Sequence, residues 1–202
     1  MRHILTATVM NEPGVLAHVA NMFSARGFNI DSLVVGRTED PNFSRMTIVV
    51  TADERTLDQV RKQLAKIVTV VKVRDYKETP YVSRDLMLIK LSAASNSRSE
   101  IIELAALFRG RVVDVGMSSL MVELSGEEEK LDAFVELVRP YGIRELARTG
   151  VIAMSRGAAT NAATDEEVRT DQRPTAVRAA ARQPLSGKRQ PTQQELEATP
   201  PG

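Results

Sequence analysis

Cysteine is absent from the 202-residue chain, which excludes disulfides, thiolate catalysis, zinc–thiolate sites and iron–sulfur clusters. Histidine is scarce: His3 and His18 are the only two, too few for a histidine-rich metal centre. Nor is there an excess of either charge, with 27 Lys and Arg against 26 Asp and Glu and a formal net charge of +1. A dedicated nucleic-acid binder carries a clearly basic domain, so nucleic acid is not an expected partner. No run of about 18 apolar residues occurs, so no membrane-spanning helix is expected. The opening MRHILTATVMNEPG has no apolar stretch before a cleavage site and is not a secretory signal. These absences describe a soluble, cytoplasmic protein.

Larger aliphatic residues thin out after Gly157. Residues 158–202 hold only Val168, Val177, Leu185 and Leu196, no aromatic residue, and five of the nine prolines. Six basic residues there are cancelled by six acidic ones. Such a segment cannot offset an ordering cost of roughly 1–2 kcal/mol per residue for the backbone alone. It is expected to be a disordered tail, with at most a short helix around 165–170 or 177–183.

What remains is a body with a repeat. His3–Met10 alternates and is rich in Ile, Leu, Thr and Val, so it reads as a strand. Asn11-Glu12-Pro13-Gly14 breaks it. Val15, Leu16, Val19, Met22 and Phe23 then recur at helical spacing, and Gly27 supplies the stop. Asn29–Gly36 and Met46–Thr51 read as strands; Asp53 reads as the N-cap of a helix carrying Leu57, Val60, Leu64 and Ile67, and Val70–Tyr76 as a strand. The order is βαββαβ.

It recurs in the second half. Leu86–Ser92 is a strand, Ser97 or Ser99 caps a helix, Val112–Met117 and Leu120–Leu124 are strands, Glu127–Val138 is a helix and Gly142–Met154 a final strand. The spacing predicts an α+β fold of two tandem ferredoxin-like βαββαβ units. Residues 1–80 form the first and 81–157 the second, ahead of the 158–202 tail.

No catalytic set accompanies this pattern. There is no phosphate-binding Gly-rich loop, no nucleophile elbow and no metal-spaced histidine pair. His3 and His18 are read as packing or surface residues. Glu127-Glu128-Glu129 suit the positive end of a helix, and Arg109-Gly110-Arg111 flank a helix C-terminus, where cations are stable. One constellation suits a small ligand. Asn11, Gly14, Val15 and Leu16 lie on a strand-to-helix turn whose first-turn amides favour an anion. Asn29 and Ile30 open the strand that follows the same helix and are expected beside that turn. Together they offer donors for a carboxylate, polar partners for an ammonium, and Val15, Leu16 and Ile30 as an apolar wall.

At these residues the sequence resembles the regulatory (small) subunit of acetolactate synthase, or acetohydroxyacid synthase. The likeness runs through Asn11–Leu16 and Arg26-Gly27-Phe28-Asn29-Ile30-Asp31-Ser32-Leu33. It continues through Arg84–Lys90, Phe108–Val115 and Ala147-Arg148-Thr149-Gly150, covering about residues 1–157. It implies an N-terminal ACT domain that senses amino acids and a second ferredoxin-like domain that activates the catalytic chain. It further implies a non-catalytic subunit that binds the large catalytic subunit and confers feedback inhibition by valine, in some members by isoleucine or leucine. Thiamine diphosphate, magnesium and FAD would belong to the large subunit, none to this chain. The effector would lie between the ACT domains of a homodimer, against positions matching Asn11, Gly14, Val15, Leu16, Asn29 and Ile30.

Three other uses of the βαββαβ order fit less well. A transcriptional regulator would need a helix-turn-helix or a basic recognition helix. An acylphosphatase-type enzyme would need an anion-cradling loop with arginine after the first strand, where Glu12 stands. A metallochaperone would need cysteine. Fold alone does not separate these; the loop residues do.

Overall fold

The structure, a computed structural model, describes residues 1–94 and 97–157 and the backbone of 165–167. Strand β1 (Arg2–Met10) alternates its side chains, sending Leu5, Ala7 and Val9 into a core. Helix α1 (Val15–Ser24) adds Val15, Val19, Met22 and Phe23 to that core from one face. Strands β2 (Ser32–Arg37) and β3 (Phe43–Thr51) pair antiparallel. Helix α2 (Glu54–Lys66) begins where expected: the Asp53 carboxylate accepts from the Thr56 amide at 2.7 Å, and Leu57, Val60 and Leu64 are buried. Strand β4 (Val70–Asp75) returns beside β1, giving the order β4-β1-β3-β2.

The second repeat follows the same plan. Its elements are β5 (Tyr81–Ser92), α3 (Arg98–Leu107), β6 (Arg111–Val115), β7 (Ser119–Gly126), α4 (Glu128–Val138) and β8 (Ile143–Arg148), with strand order β6-β7-β5-β8. Its own core gathers Met87, Ile89, Leu91, Ile101, Leu120, Val122, Leu131, Phe134 and Val138. Phe134 meets Phe108 edge-on with ring centroids 5.3 Å apart. Two tandem βαββαβ units are therefore what the chain forms.

Four details differ from the sequence reading. The strand expected over 142–154 is broken: β8 ends at Arg148 and β9 (Ile152–Ser155) follows, with Gly150 at φ +88° between them. Both pieces pair with the 12-residue β5, but their registers are offset by one residue, and the break absorbs the extra one. Strand β2 starts at Ser32 rather than Asn29, because Asn29 is drawn into a local bond from its Nδ2 to Asp31 Oδ1 at 2.7 Å. Ser97 precedes α3 as expected, yet its hydroxyl donates to the Ala94 carbonyl at 3.3 Å and does not cap the helix. Finally, residues 165–167, expected within a disordered tail or a short helix, form a strand, β10 (Asp165–Glu167). It adds to the outer edge of β4, with Asp165 opposite Arg74 and Glu167 opposite Lys72. That edge offers unpaired ladder groups, which an extended segment satisfies better than a helix. The rest of 158–202, including the helix considered over 177–183, lies outside the described residues.

The break at Gly150 has an architectural consequence. It directs β9 across the helix-free face of the first sheet, where Val151 and Ala153 pack with Ile4, Val49 and Tyr76 in a third small core. The Tyr76 hydroxyl donates to the Ala153 carbonyl at 3.3 Å, and Arg74 donates to the Ser155 hydroxyl. Arg2 on β1 also pairs with Glu128 at the head of α4. The two repeats thus share buried apolar surface and polar clasps.

Candidate functional site

The turn after β1 is held by bonds to the β2–β3 hairpin. The Asn11 backbone amide donates to Asn42 O at 2.8 Å, and its side-chain Nδ2 donates to Pro41 O at 2.9 Å. Its Oδ1 accepts from the Ser44 hydroxyl at 3.1 Å. Asn11 was expected to face a ligand; its side chain instead ties the turn to the β2–β3 hairpin.

Gly14 occupies the N-cap position of α1 at φ +86°, in the left-handed region that favours glycine. No side chain caps the helix, and no acidic residue lies in its first turn. The leading amides are therefore without intrahelical partners, and a Cβ at Gly14 would meet nothing within 4 Å. Unpartnered first-turn donors beside an uncrowded glycine are what a carboxylate needs. Val15 is only 4% exposed and belongs to the core, so it supports the turn from behind. Leu16, 47% exposed, is the apolar residue that a ligand could reach.

Asn29 and Ile30 are not beside this turn. Met10 pairs with Phe43 at one end of the sheet, whereas Asp31 donates its amide to Val49 O and Ser32 pairs with Val49. The interval from Phe43 to Val49 corresponds to about 20 Å of strand. Helix α1 carries the chain back to the end where β1 began, so β2, parallel to β1, must start there. Asn29 is exposed; Ile30 is half-buried against the first core. The six expected residues thus form two half-sites at opposite ends of β2, an edge strand among the described residues.

Sequence reasoning did not single out Asp31. Its Oδ1 accepts from Asn29 and its Oδ2 from the Thr51 hydroxyl, each at 2.7 Å, fixing the second half-site to the end of β3. The Asn-x-Asp spacing is the signal that could have found it.

The candidate chemistries set aside earlier have ordinary surroundings. His3 is buried with Nε2 3.2 Å from Ala52 O, and His18 is exposed. Among the described residues no group of three His, Asp or Glu could hold a metal ion. Nor is any described helix long and apolar enough to cross a membrane. A cleft of about 280 Å³ lined by Glu54, Asp58, Arg61, Asp75, Lys77 and Glu78 shares no residue with either half-site. Two ion pairs cross it: Arg61 meets Asp58 at 2.9 Å, and Lys77 donates to Glu54 at 2.6 Å, a bond that holds the Glu54 carboxyl below its usual range.

A family model for the AHAS small subunit-like ACT domain matches residues 5–72, and one for the small subunit of acetolactate synthase matches residues 84–157. The chain belongs to the acetolactate synthase small-subunit family. It is 52% identical over 159 residues to a probable acetolactate synthase small subunit of Methanothermobacter thermautotrophicus, covering 78% of this chain and 95% of that one. With the acetolactate synthase small subunit of Mycolicibacterium smegmatis it shares 50% identity over 155 residues, covering 77% and 91%. The crystal structure of the acetolactate synthase small subunit from Thermotoga maritima superposes with a TM-score of 0.73 at 39% identity, covering 78% of this chain and 98% of that one. The small-subunit likeness therefore spans both repeats, with the ACT match on the first.

Proposed function

We propose that this chain is the regulatory subunit of acetolactate synthase. It binds the large catalytic subunit, raises its activity and confers feedback inhibition by valine, or by isoleucine or leucine, without chemistry of its own. The thiamine diphosphate, magnesium and FAD of the reaction belong to the large subunit. In this reading the first repeat senses the effector and the second activates the catalytic chain.

The observation that carries the sensing role is the separation of the half-sites along an edge strand. When two copies pair through β2 about a twofold axis, the strands run antiparallel, so the start of one meets the end of the other. That pairing carries Asn29 and Ile30 of a second copy toward the Gly14 turn of the first. A ligand carboxylate then meets the first-turn amides of α1, and its ammonium meets the Asn29 Oδ1 of the second copy. Leu16 and Ile30 cover an aliphatic side chain. A free amino acid with a small branched side chain fits this set of donors, acceptor and wall. The two sites are equivalent and each is incomplete in a single chain.

The test is acetolactate production by the large subunit with and without this chain, at rising valine. Calorimetry of valine binding to the chain alone accompanies it. Stimulation by the chain, together with valine inhibition that appears only in its presence, is the expected result. Activity by the chain alone, or no response to it, contradicts the reading.

A further inference from the structure

The two repeats meet at a place where the sensing half-site and the second repeat are one bond network apart. Asp85, on β5 and 3% exposed, organises the break between β8 and β9. Its Oδ1 accepts from the Thr149 hydroxyl and from the Gly150 backbone amide, each at 3.1 Å. Its Oδ2 accepts from Arg148 Nε at 2.8 Å, and the Arg148 Nη1 continues to Asp132 on α4 at 2.6 Å. Thr149 is also fixed to the backbone of Leu86, donating its amide to the carbonyl at 3.0 Å and accepting the amide at 3.2 Å. The turn is clamped to the second repeat on its inner side.

Its outer side presses on β2. A Cβ at Gly150 would lie 2.5 Å from Ser32 Oγ and 3.0 Å from Val34 Cγ2. Glycine is required twice over, by φ +88° and by this close approach. Ser32 in turn follows Asp31, which holds Asn29 and Thr51. The start of β2, which carries one half-site, thus rests the side chains of Ser32 and Val34 directly on the backbone of that turn. A shift of β2 at Ser32 reaches Gly150 through these two side chains, because close-packed contacts transmit displacement.

From this contact we infer that Gly150 is the positioning residue through which effector occupancy at Asn29–Ile30 reaches the second repeat. Asp85 is the anchor that makes the turn respond as a unit. The inference rests on the sensing role proposed above. A ligand that draws Asn29 toward the opposing helix end shifts Ser32 relative to Gly150. The clamp then passes the motion to Arg148 and α4. Coupling of this kind requires the ligand to favour one of two arrangements of the contact.

Two variants alter the contact from its two sides. Gly150→Ala introduces a Cβ against Ser32, and Ser32→Val enlarges the β2 side while leaving the turn's backbone alone. Each is measured for valine affinity on the isolated chain by calorimetry, and for stimulation and valine inhibition with the large subunit. The expected result is valine affinity within about threefold of wild type, but maximal inhibition at saturating valine cut to less than half. If both variants are inhibited as fully as wild type, or lose affinity and inhibition in parallel, the coupling role is overturned and the sensing role stands. If the wild-type chain binds no valine at all, the sensing role fails and this inference falls with it.

Discussion

Arg148 and Asp85 form the best-buried ion pair among the described residues: Nε to Oδ2 is 2.8 Å, and the carboxylate is only 2% exposed. The same carboxylate serves Thr149 and Gly150, so removing it leaves a cation and a backbone amide without their partner. Breaking a buried pair from one side costs about 3–5 kcal/mol. Arg148 is one quarter exposed and keeps Asp132, which places the loss at the low end of that range. Asp85→Ala should therefore lower the urea-unfolding free energy by about 3 kcal/mol. Asp85→Asn, which keeps an acceptor for Gly150, should lose about half as much. Equal stability of both variants and wild type would deny the clamp.

Gly14→Asp should impair sensing at a modest cost to the fold, since φ +86° strains any residue but glycine. The site has room for a Cβ, and aspartate tolerates the left-handed region better than most residues. Its carboxylate would stand where the ligand's carboxylate binds, and could cap the first-turn amides itself. Two like charges within about 4 Å repel by roughly 1–4 kcal/mol, and about 1.4 kcal/mol is tenfold. Stimulation of the catalytic chain should persist, with the valine inhibition curve displaced at least tenfold. An undisplaced curve would place the effector elsewhere.

Much of this was readable in the residues. Asp53, with Leu57, Val60 and Leu64 at helical spacing, announces α2 and its first residue, because cap chemistry and periodicity are local. The edge position of β2 and the break at Gly150 are not local. An Arg-Thr-Gly run inside an alternating pattern reads as continuous strand; only the burial of Asp85, 63 positions from Arg148, pulls it out of line. Asn29 reads as close to Gly14 because the chain between them is short. A ten-residue helix carries it back along the sheet, so sequence proximity misleads about space. The bonds that Asn11 makes to Pro41 and Ser44 are not legible for a related reason, since those residues reach it only once β3 is in place.

Acid should loosen α2 through its cap. The Thr56 hydrogen bonds hold the Asp53 carboxyl below its ordinary value of 3.8. A carboxyl lowered on folding stabilises the fold above its unfolded value and loses that contribution as pH falls through the folded one. The difference in melting temperature between wild type and Asp53→Ala should be constant from pH 7 to about 5 and shrink below about 4. A difference that persists unchanged at pH 3 would show that the carboxylate's charge is irrelevant to the cap.

Ending the chain after Gly157 removes β10 from the edge of β4. The proposed half-sites flank β2, at the opposite edge of the same sheet. Stimulation and valine inhibition by the shortened chain should both stay within about twofold of wild type, given the tail's lack of core-forming residues. Loss of either would give the tail a functional contact.

The proposed effector site is built from two chains, Gly14 from one and Asn29 from the other. Chains carrying only Gly14→Asp and chains carrying only Asn29→His can be purified separately as valine-insensitive subunits, then mixed and allowed to exchange. In a mixed pair one site collects both changes and the other collects neither. Valine inhibition of the reconstituted enzyme should therefore return on mixing, at the wild-type concentration range and with amplitude set by the fraction of mixed pairs. Mixtures that stay as insensitive as their parents, with exchange verified by mass, would contradict a site shared between two chains.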